Sequence, residues 1–243
     1  MEVLKNRVDS FLKQKRGKVF KWPHPSSWKA TPDTLAEAGF YFDPSAEDPD
    51  NATCFMCGKQ VTEWAKEDDP FDIHWEKCAK TCAWANLRCG LRRDVDAHGR
   101  FTFPDKSRMP TSKAMEKARL ETFTAHDWQH DKNKKHMASS KKMAHAGFVF
   151  TPGVAGDDTG TCLYCNVALA NWDEDDDPMY VRSLTGIPSL ILQATPPGPQ
   201  RLGQPVPIPH PRIRVGHRDR QGQKVQTCHE GCSGGFGHAD QNV

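Results

Sequence analysis

The chain has 243 residues, and its 33 basic and 31 acidic side chains leave a formal charge of +2, too near balance for a general nucleic-acid footprint. Hydrophobic residues make up 37% and mean hydropathy is −0.72, which fits one or two small domains with limited cores that a bound metal would help to hold. Nine cysteines with no apolar leader in Met1–Arg7 point to a reducing compartment and metal binding rather than disulfides, and no apolar run approaches the length of a membrane span. A soluble, non-secreted protein is expected, and the Asn51-Ala52-Thr53 sequon is discounted on that ground.

Residues 5–21 begin amphipathic, with Val8, Phe11 and Leu12 at helical spacing. They then turn basic through Lys13, Lys15, Arg16, Lys18 and Lys21, which reads as a solvated helix face or a nuclear import signal. Trp22-Pro23 and Trp28 mark an aromatic-rich loop. Thr31-Pro32-Asp33 starts a short helix with Leu35, Ala36 and Ala38 inward, and Gly39 stops it. Phe40-Tyr41-Phe42 is a strand candidate, Asp43-Pro44 turns the chain, and Gln60 to Trp64 reads as the return strand of a small antiparallel sheet.

Between those strands lies Cys54-x-x-Cys57. Two intervening residues let the chain double back, so both thiolates can meet one ion, and zinc takes four such ligands in tetrahedral array. Asp69 caps a second helix with Pro70 at its first position, which puts His74 on the second turn facing the cysteine knuckle. Cys82 or Cys78 supplies the fourth ligand. Buried free cysteines are the plainer alternative, and a redox pair would need a strand-to-helix setting that is not evident here.

The pattern then repeats. Ala38-Gly39-Phe40 recurs as Ala146-Gly147-Phe148, Cys54 and Cys57 as Cys162 and Cys165, Trp64 as Trp172, and Asp68-Asp69-Pro70 as Asp176-Asp177-Pro178, all at one offset of 108. Arg7-Val8-Asp9-Ser10-Phe11 matches Arg119-Leu120-Glu121-Thr122-Phe123 at a slightly larger offset. The second copy is cut short: Arg182 stands at the position of His74, and Leu190 at that of Cys82. After Tyr180 the composition shifts to Pro, Gly, Arg and Gln, so residues 181–243 are expected to be a disordered tail, from a retained intron, an alternative exon or a mispredicted one. The alternative is that Cys228, His229, Cys232 or His238 completes the second site across a long loop.

Arg7 to Phe11, Trp22-Pro23, Ala38-Gly39-Phe40-Tyr41, Cys54-x-x-Cys57, Trp64, Asp68-Asp69-Pro70, His74 and Cys82 together resemble a BIR domain, the zinc module of inhibitor-of-apoptosis proteins and survivin. The resemblance implies an α+β fold of small zinc-centred modules, each a three-stranded antiparallel sheet with short helices around it. It divides the chain into a complete repeat at 5–90, a helical and basic linker at 91–116, a truncated repeat at 117–180 and the tail at 181–243. It also implies one Zn2+ per chain, held by Cys54, Cys57, His74 and Cys82 with Cys78 as runner-up, and an incomplete second site at Cys162 and Cys165. Seven residues separate His74 from Cys82 where the family has six; Cys82-Ala83-Trp84 nevertheless resembles the family's ending.

A tandem of two such repeats resembles the survivin-like proteins of fungi, which implies a nuclear chromosomal passenger subunit, at centromere and spindle and also in the cytoplasm, associated with an Aurora-type kinase complex. Its ligand would be a histone N-terminal tail. Asp68 would take the terminal amine, Trp64 and Val61 would wall the pocket for the first side chain, and Lys59 would face a phosphate. Thr62, Ile73 and Lys77 depart from survivin. In the second copy Trp172 and Asp176 match, but Val167 replaces the lysine. Core packing by Trp64 and helix capping by Asp68 are the structural alternatives. No nucleophile–base pair or open metal position is evident, so no enzyme is expected. Two other functions remain open: an inhibitor of apoptosis that binds caspases or alanine-first peptides, and a nucleic-acid-binding zinc module using Lys132, Lys134, Lys135, Lys141 and Lys142, with Asp173 to Asp177 opposing it.

Overall fold

The computed structural model describes residues 1–15 and 18–185, together with the backbone of 213–214 and 227–228; of 13–15, 18 and 19 only the backbone is described. Helix α1 (Leu4–Ser10) leads into a hairpin of β1 (Leu12–Lys15) and β2 (Lys18–Lys21), paired antiparallel from Leu12–Lys21 to Lys15–Lys18. Lys13, Lys15, Lys18 and Lys21 of the basic run therefore lie on an extended ribbon and not on the helix face expected from sequence.

Helix α2 (Pro32–Ala38) forms where its caps require it. Thr31 and Thr34 make a reciprocal capping box, Pro32 sits in the first turn, and Leu35, Ala36 and Ala38 are buried. Gly39 ends the helix at φ +103°, where a Cβ would lie 2.6 Å from Trp84 Cδ1; only glycine meets both demands. Strands β3 (Phe40–Phe42), β4 (Ala52–Cys54) and β5 (Gln60–Val61) follow as an antiparallel sheet in that order. Helix α3 (Pro70–Cys78) is capped by Asp69, whose carboxylate accepts the Phe71 amide.

The predicted strand over Gln60–Trp64 stops at Val61 for a definable reason. Asp50 draws the next three residues out of the ladder, accepting from Thr62 Oγ1 (2.8 Å), Glu63 N (3.0 Å) and Trp64 N (2.9 Å), and Glu63 takes φ +59°. His24 Nε2 holds the same carboxylate at 2.9 Å.

Beyond α3 comes a wide turn at Ala85–Cys89, then single 3-10 turns at Gly90–Arg93 and Lys106–Arg108. The second unit repeats the first: α4 (Lys113–Thr124), α5 (Ser140–His145), β6 (Val149–Phe150), β7 (Gly160–Thr161), β8 (Ala168–Ala170) and α6 (Pro178–Ser183). Its internal bonds copy those of the first unit. Arg7 Nε donates to Ala36 O and Arg119 Nε to Ala144 O; Ser10 Oγ accepts the Phe42 amide and Thr122 Oγ1 that of Phe150; Asp158 takes the Asn171 and Trp172 amides and His130 Nε2.

The second sheet is larger than the three strands expected. Strand β9 (Ile213–Arg214) pairs parallel to β8 and antiparallel to β10 (Thr227–Cys228), giving the order β10-β9-β8-β7-β6. Residues 181–183, expected in the disordered tail, instead complete α6 and bury Val181 and Arg182; apart from β9 and β10, the expected tail from 186 onward lies outside the described residues.

The two units share a boundary core. Ala83, Leu87 and Leu91 pack with Phe103, Met115, Phe123 and Phe148 of the following segment. A buried ion pair, Arg108 to Asp94 at 2.7 Å on both nitrogens, ties the connection down, with Arg108 also donating to Asn86. Phe55 stacks on His126 at 5.6 Å across the same boundary.

Candidate metal centre and peptide groove

In the first unit four donors converge. Cys54 is at the end of β4, Cys57 on the turn after it, His74 in α3 and Cys82 beyond it, and their ligand atoms all lie within 4.8 Å of one another. Cys54 Sγ is 3.9 Å from Cys82 Sγ, and Cys57 Sγ is 3.8 Å from His74 Nε2. Those separations match the edges of a tetrahedron with metal–sulfur bonds of about 2.3 Å. His74 Nδ1 donates to Ala38 O at 2.7 Å, which fixes the ring and leaves Nε2 for a metal. The Met56 and Ala85 amides donate to Cys54 and Cys82 Sγ at 3.3 and 3.5 Å, supporting thiolates. Three thiolates and an imidazole are a donor set that can hold a metal ion.

Without a metal ion the donors share protons among themselves, and Cys82 is driven well above an ordinary thiol by hydrogen bonds with Cys54 and Cys57. Cys57 is pulled far below an ordinary thiol, chiefly by hydrogen bonding with Cys54 and Cys82. His74 is held well above an ordinary imidazole, its burial outweighed by hydrogen bonds with Cys54 and Cys57. Arg7, 1% exposed, lies 4.3 Å above the Phe55 ring beside the knuckle, and burial lowers it to about 10. Cys78 is buried but is not one of the four converging donors; its carbonyl accepts the Cys82 amide at 2.9 Å, which places Cys82 one turn further along the chain. Cys89, which the spacing did not single out, packs behind His74, with Sγ 3.6 Å from Ala38 O.

Of the residues expected to line a groove, Val61 and Trp64 are in contact, and Lys59 and Asp68 lie on the loops before β5 and α3. Lys59 is exposed on the turn before β5, Val61 is half-buried, and Trp64 Nε1 donates to Val61 O at 3.2 Å. Trp64 is only 3% exposed and packs edge-on against Phe40 at 5.7 Å, so its indole belongs mainly to the core. Asp68 is half-buried; it accepts the Ala65 amide at 2.9 Å and leaves capping of α3 to Asp69. In the second unit Asp176 makes the matching bond to the Asp173 amide but is 2% exposed, and Val167 and Trp172 are buried. Phe101 and Phe103 of the connection pack on Tyr164 at 5.7 and 6.1 Å, covering that knuckle.

The second unit's two cysteines meet no histidine among the described residues. Cys162 is drawn well below an ordinary thiol: burial opposes this, but a hydrogen bond with Cys165 and the charge of Arg182 prevail. Two of the lysines considered for nucleic acid are engaged elsewhere, Lys132 with Asp127 at 2.9 Å and Lys142 with Asp177 at 3.8 Å. Among the described residues no helix is long and apolar enough to cross a membrane.

Comparison with known proteins decides the family. The model of the Inhibitor of Apoptosis domain, BIR, matches residues 7–86 and 119–183. The chain belongs to the BIR family. The two units are thus BIR repeats, the second matched as far as Ser183 in α6. The chain is 33% identical over 177 residues to the chromosomal passenger complex protein bir1 of Schizosaccharomyces pombe, covering 71% of this chain and 16% of that protein. It is 28% identical to the death-associated inhibitor of apoptosis 2 of Drosophila melanogaster, covering 71% and 32%. It is 37% identical over 79 residues to the baculoviral IAP repeat-containing protein 5 of Cavia porcellus, covering 32% and 55%. The chain therefore spans a sixth to about half of the length of these relatives.

Proposed function

We propose that the first BIR repeat, folded around one Zn2+ on Cys54, Cys57, His74 and Cys82, reads the N-terminus of a partner protein, and that the protein acts as a survivin-like chromosomal passenger subunit on histone tails. The observation that carries this reading is the contrast between the repeats. Asp68 is half-buried in the loop before α3 and Lys59 is exposed on the turn before β5, whereas Asp176 is closed off at 2% exposure. A half-buried carboxylate can take an ammonium group, and an exposed lysine can take a phosphate on the same tail. The likeness to the fission-yeast passenger protein supports a nuclear setting at chromosomes and spindle and a place beside an Aurora-type kinase complex. No catalytic role is assigned, since four protein donors fill a tetrahedral shell and leave no position for water.

The test is calorimetric titration of the zinc-loaded chain with a histone N-terminal peptide, phosphorylated and not. Phosphorylation is expected to tighten binding about tenfold in the native chain but not in Lys59→Ala, and Asp68→Asn should weaken both peptides about tenfold. Equal binding by native and Asp68→Asn chains would refute the groove. Preference for an alanine-first peptide without phosphate would favour the inhibitor-of-apoptosis reading, which the Drosophila relative keeps in view.

A further inference from the structure

The second repeat lacks the zinc histidine, yet its cysteine pair is engaged. Arg182, at the position of His74, ties the pair to the backbone: Nη1 donates to Ala146 O at 2.6 Å, and Nη2 reaches Cys162 Sγ at 2.8 Å and Cys165 Sγ at 3.1 Å. In the first repeat the same tasks fall to two partners. His74 Nδ1 donates to Ala38 O at 2.7 Å, and the donor cluster that includes Cys54 and Cys57 can hold a cation. The aromatic contact is copied as well: His74 lies 4.7 Å from the Phe40 ring, and the Arg182 guanidinium 5.2 Å from that of Phe148. Arg182 is 1% exposed and Phe148 and Cys162 are fully buried, while Cys165 is half-buried at the outer side of the group.

We infer that Arg182 is a covalently carried replacement for the metal ion of the second BIR repeat, clamping the Cys162–Cys165 knuckle to the α5–β6 corner so that this repeat takes up no zinc. A guanidinium can serve because it is planar, keeps its charge when buried and offers several donors in a fixed fork. A buried sulfur pair needs a cation or donors nearby, and here one side chain supplies both. The substitution of histidine by arginine thus changes the kind of cross-link and preserves its place. It also makes the two repeats unequal: removal of metal would act directly on the first cluster alone.

The experiment is metal analysis of the full chain saturated with zinc, together with hydrogen exchange of the strands at 160–161 and 168–170. One zinc per chain is expected. Arg182→Met should keep that zinc and raise exchange in those strands at least tenfold, with strands 52–54 and 60–61 unchanged. Arg182→Lys, which keeps the charge but not the fork, should give a smaller rise, and it carries the test if Arg182→Met does not fold. Two zinc ions per native chain, or native-like exchange in these variants, would overturn the inference. Neither readout involves peptide binding, so failure here is distinct from failure of the groove.

Discussion

Asp50 is the residue whose removal should reveal how the groove edge is held. Its carboxylate accepts from Thr62 Oγ1, Glu63 N, Trp64 N and His24 Nε2, all at 2.8 to 3.0 Å. In Asp50→Ala the Glu63 amide, on an exposed residue, can turn to water, but the Trp64 amide is buried with its residue. A buried donor left without a partner costs about 1–3 kcal/mol, and a lost bond that water replaces costs about 1 kcal/mol. Over all four bonds the expected loss is therefore about 4–6 kcal/mol, a roughly 800- to 25,000-fold fall in the folding constant. Guanidinium unfolding of the zinc-loaded chain would measure it, and hydrogen exchange should show the increase concentrated at Glu63 and Trp64. Asp158→Ala should cost about 1 kcal/mol less, because Ala170 stands where Thr62 supplies a hydroxyl. A loss below about 0.5 kcal/mol for Asp50→Ala, within the range of ordinary surface substitutions, would refute the latch.

The two aspartates also set an acid limb. In Asp50 and Asp158 burial pushes the carboxyl upward, but bonds from His24 and Thr62, and from His130, with the Trp64 and Trp172 amides, hold it below its ordinary value. Stability from a depressed carboxyl is complete above the unfolded value of about 3.9 and is lost as pH falls through the folded one. Urea melts between about pH 2 and pH 6 should show that loss, flattened in Asp50→Asn/Asp158→Asn. Cys82→Ala should weaken zinc binding at least about 100-fold by competition with a chromophoric chelator, whereas Cys78→Ala should keep the zinc and cost about 1 kcal/mol. Gly39→Ala, forced to φ +103° against Trp84, should cost at least about 2 kcal/mol in thermal unfolding.

The chemistry of the metal centre was legible because ligand spacing and helix caps are local. Cys54-x-x-Cys57 makes a turn, Asp69-Pro70 starts α3, and His74 then faces the knuckle. The choice of Cys82 over Cys78 depended on how the chain leaves α3, which spacing alone leaves open. The latch was missed although a signal existed: Asp50 and Asp158 share the offset of 108, and His24 and His130 lie at 106. The β1–β2 ribbon was hidden because its alternation is diluted by lysines that read equally well as a solvated helix face. The shared boundary core depends on Leu87, Leu91 and Phe103, which carry no period of their own and gain meaning only from what they touch.

That boundary core has a practical edge. A protease site or expression boundary placed near residue 90, where the sequence suggests a joint between modules, would cut through packed side chains and separate Arg108 from Asn86. Each half would then carry an apolar scar, Leu87 on one side and Phe103 and Met115 on the other, and should aggregate as an isolated fragment. The pair behaves in this respect as one inheritance unit: recombination that exchanged a single repeat would have to bring the matching 83–108 segment with it.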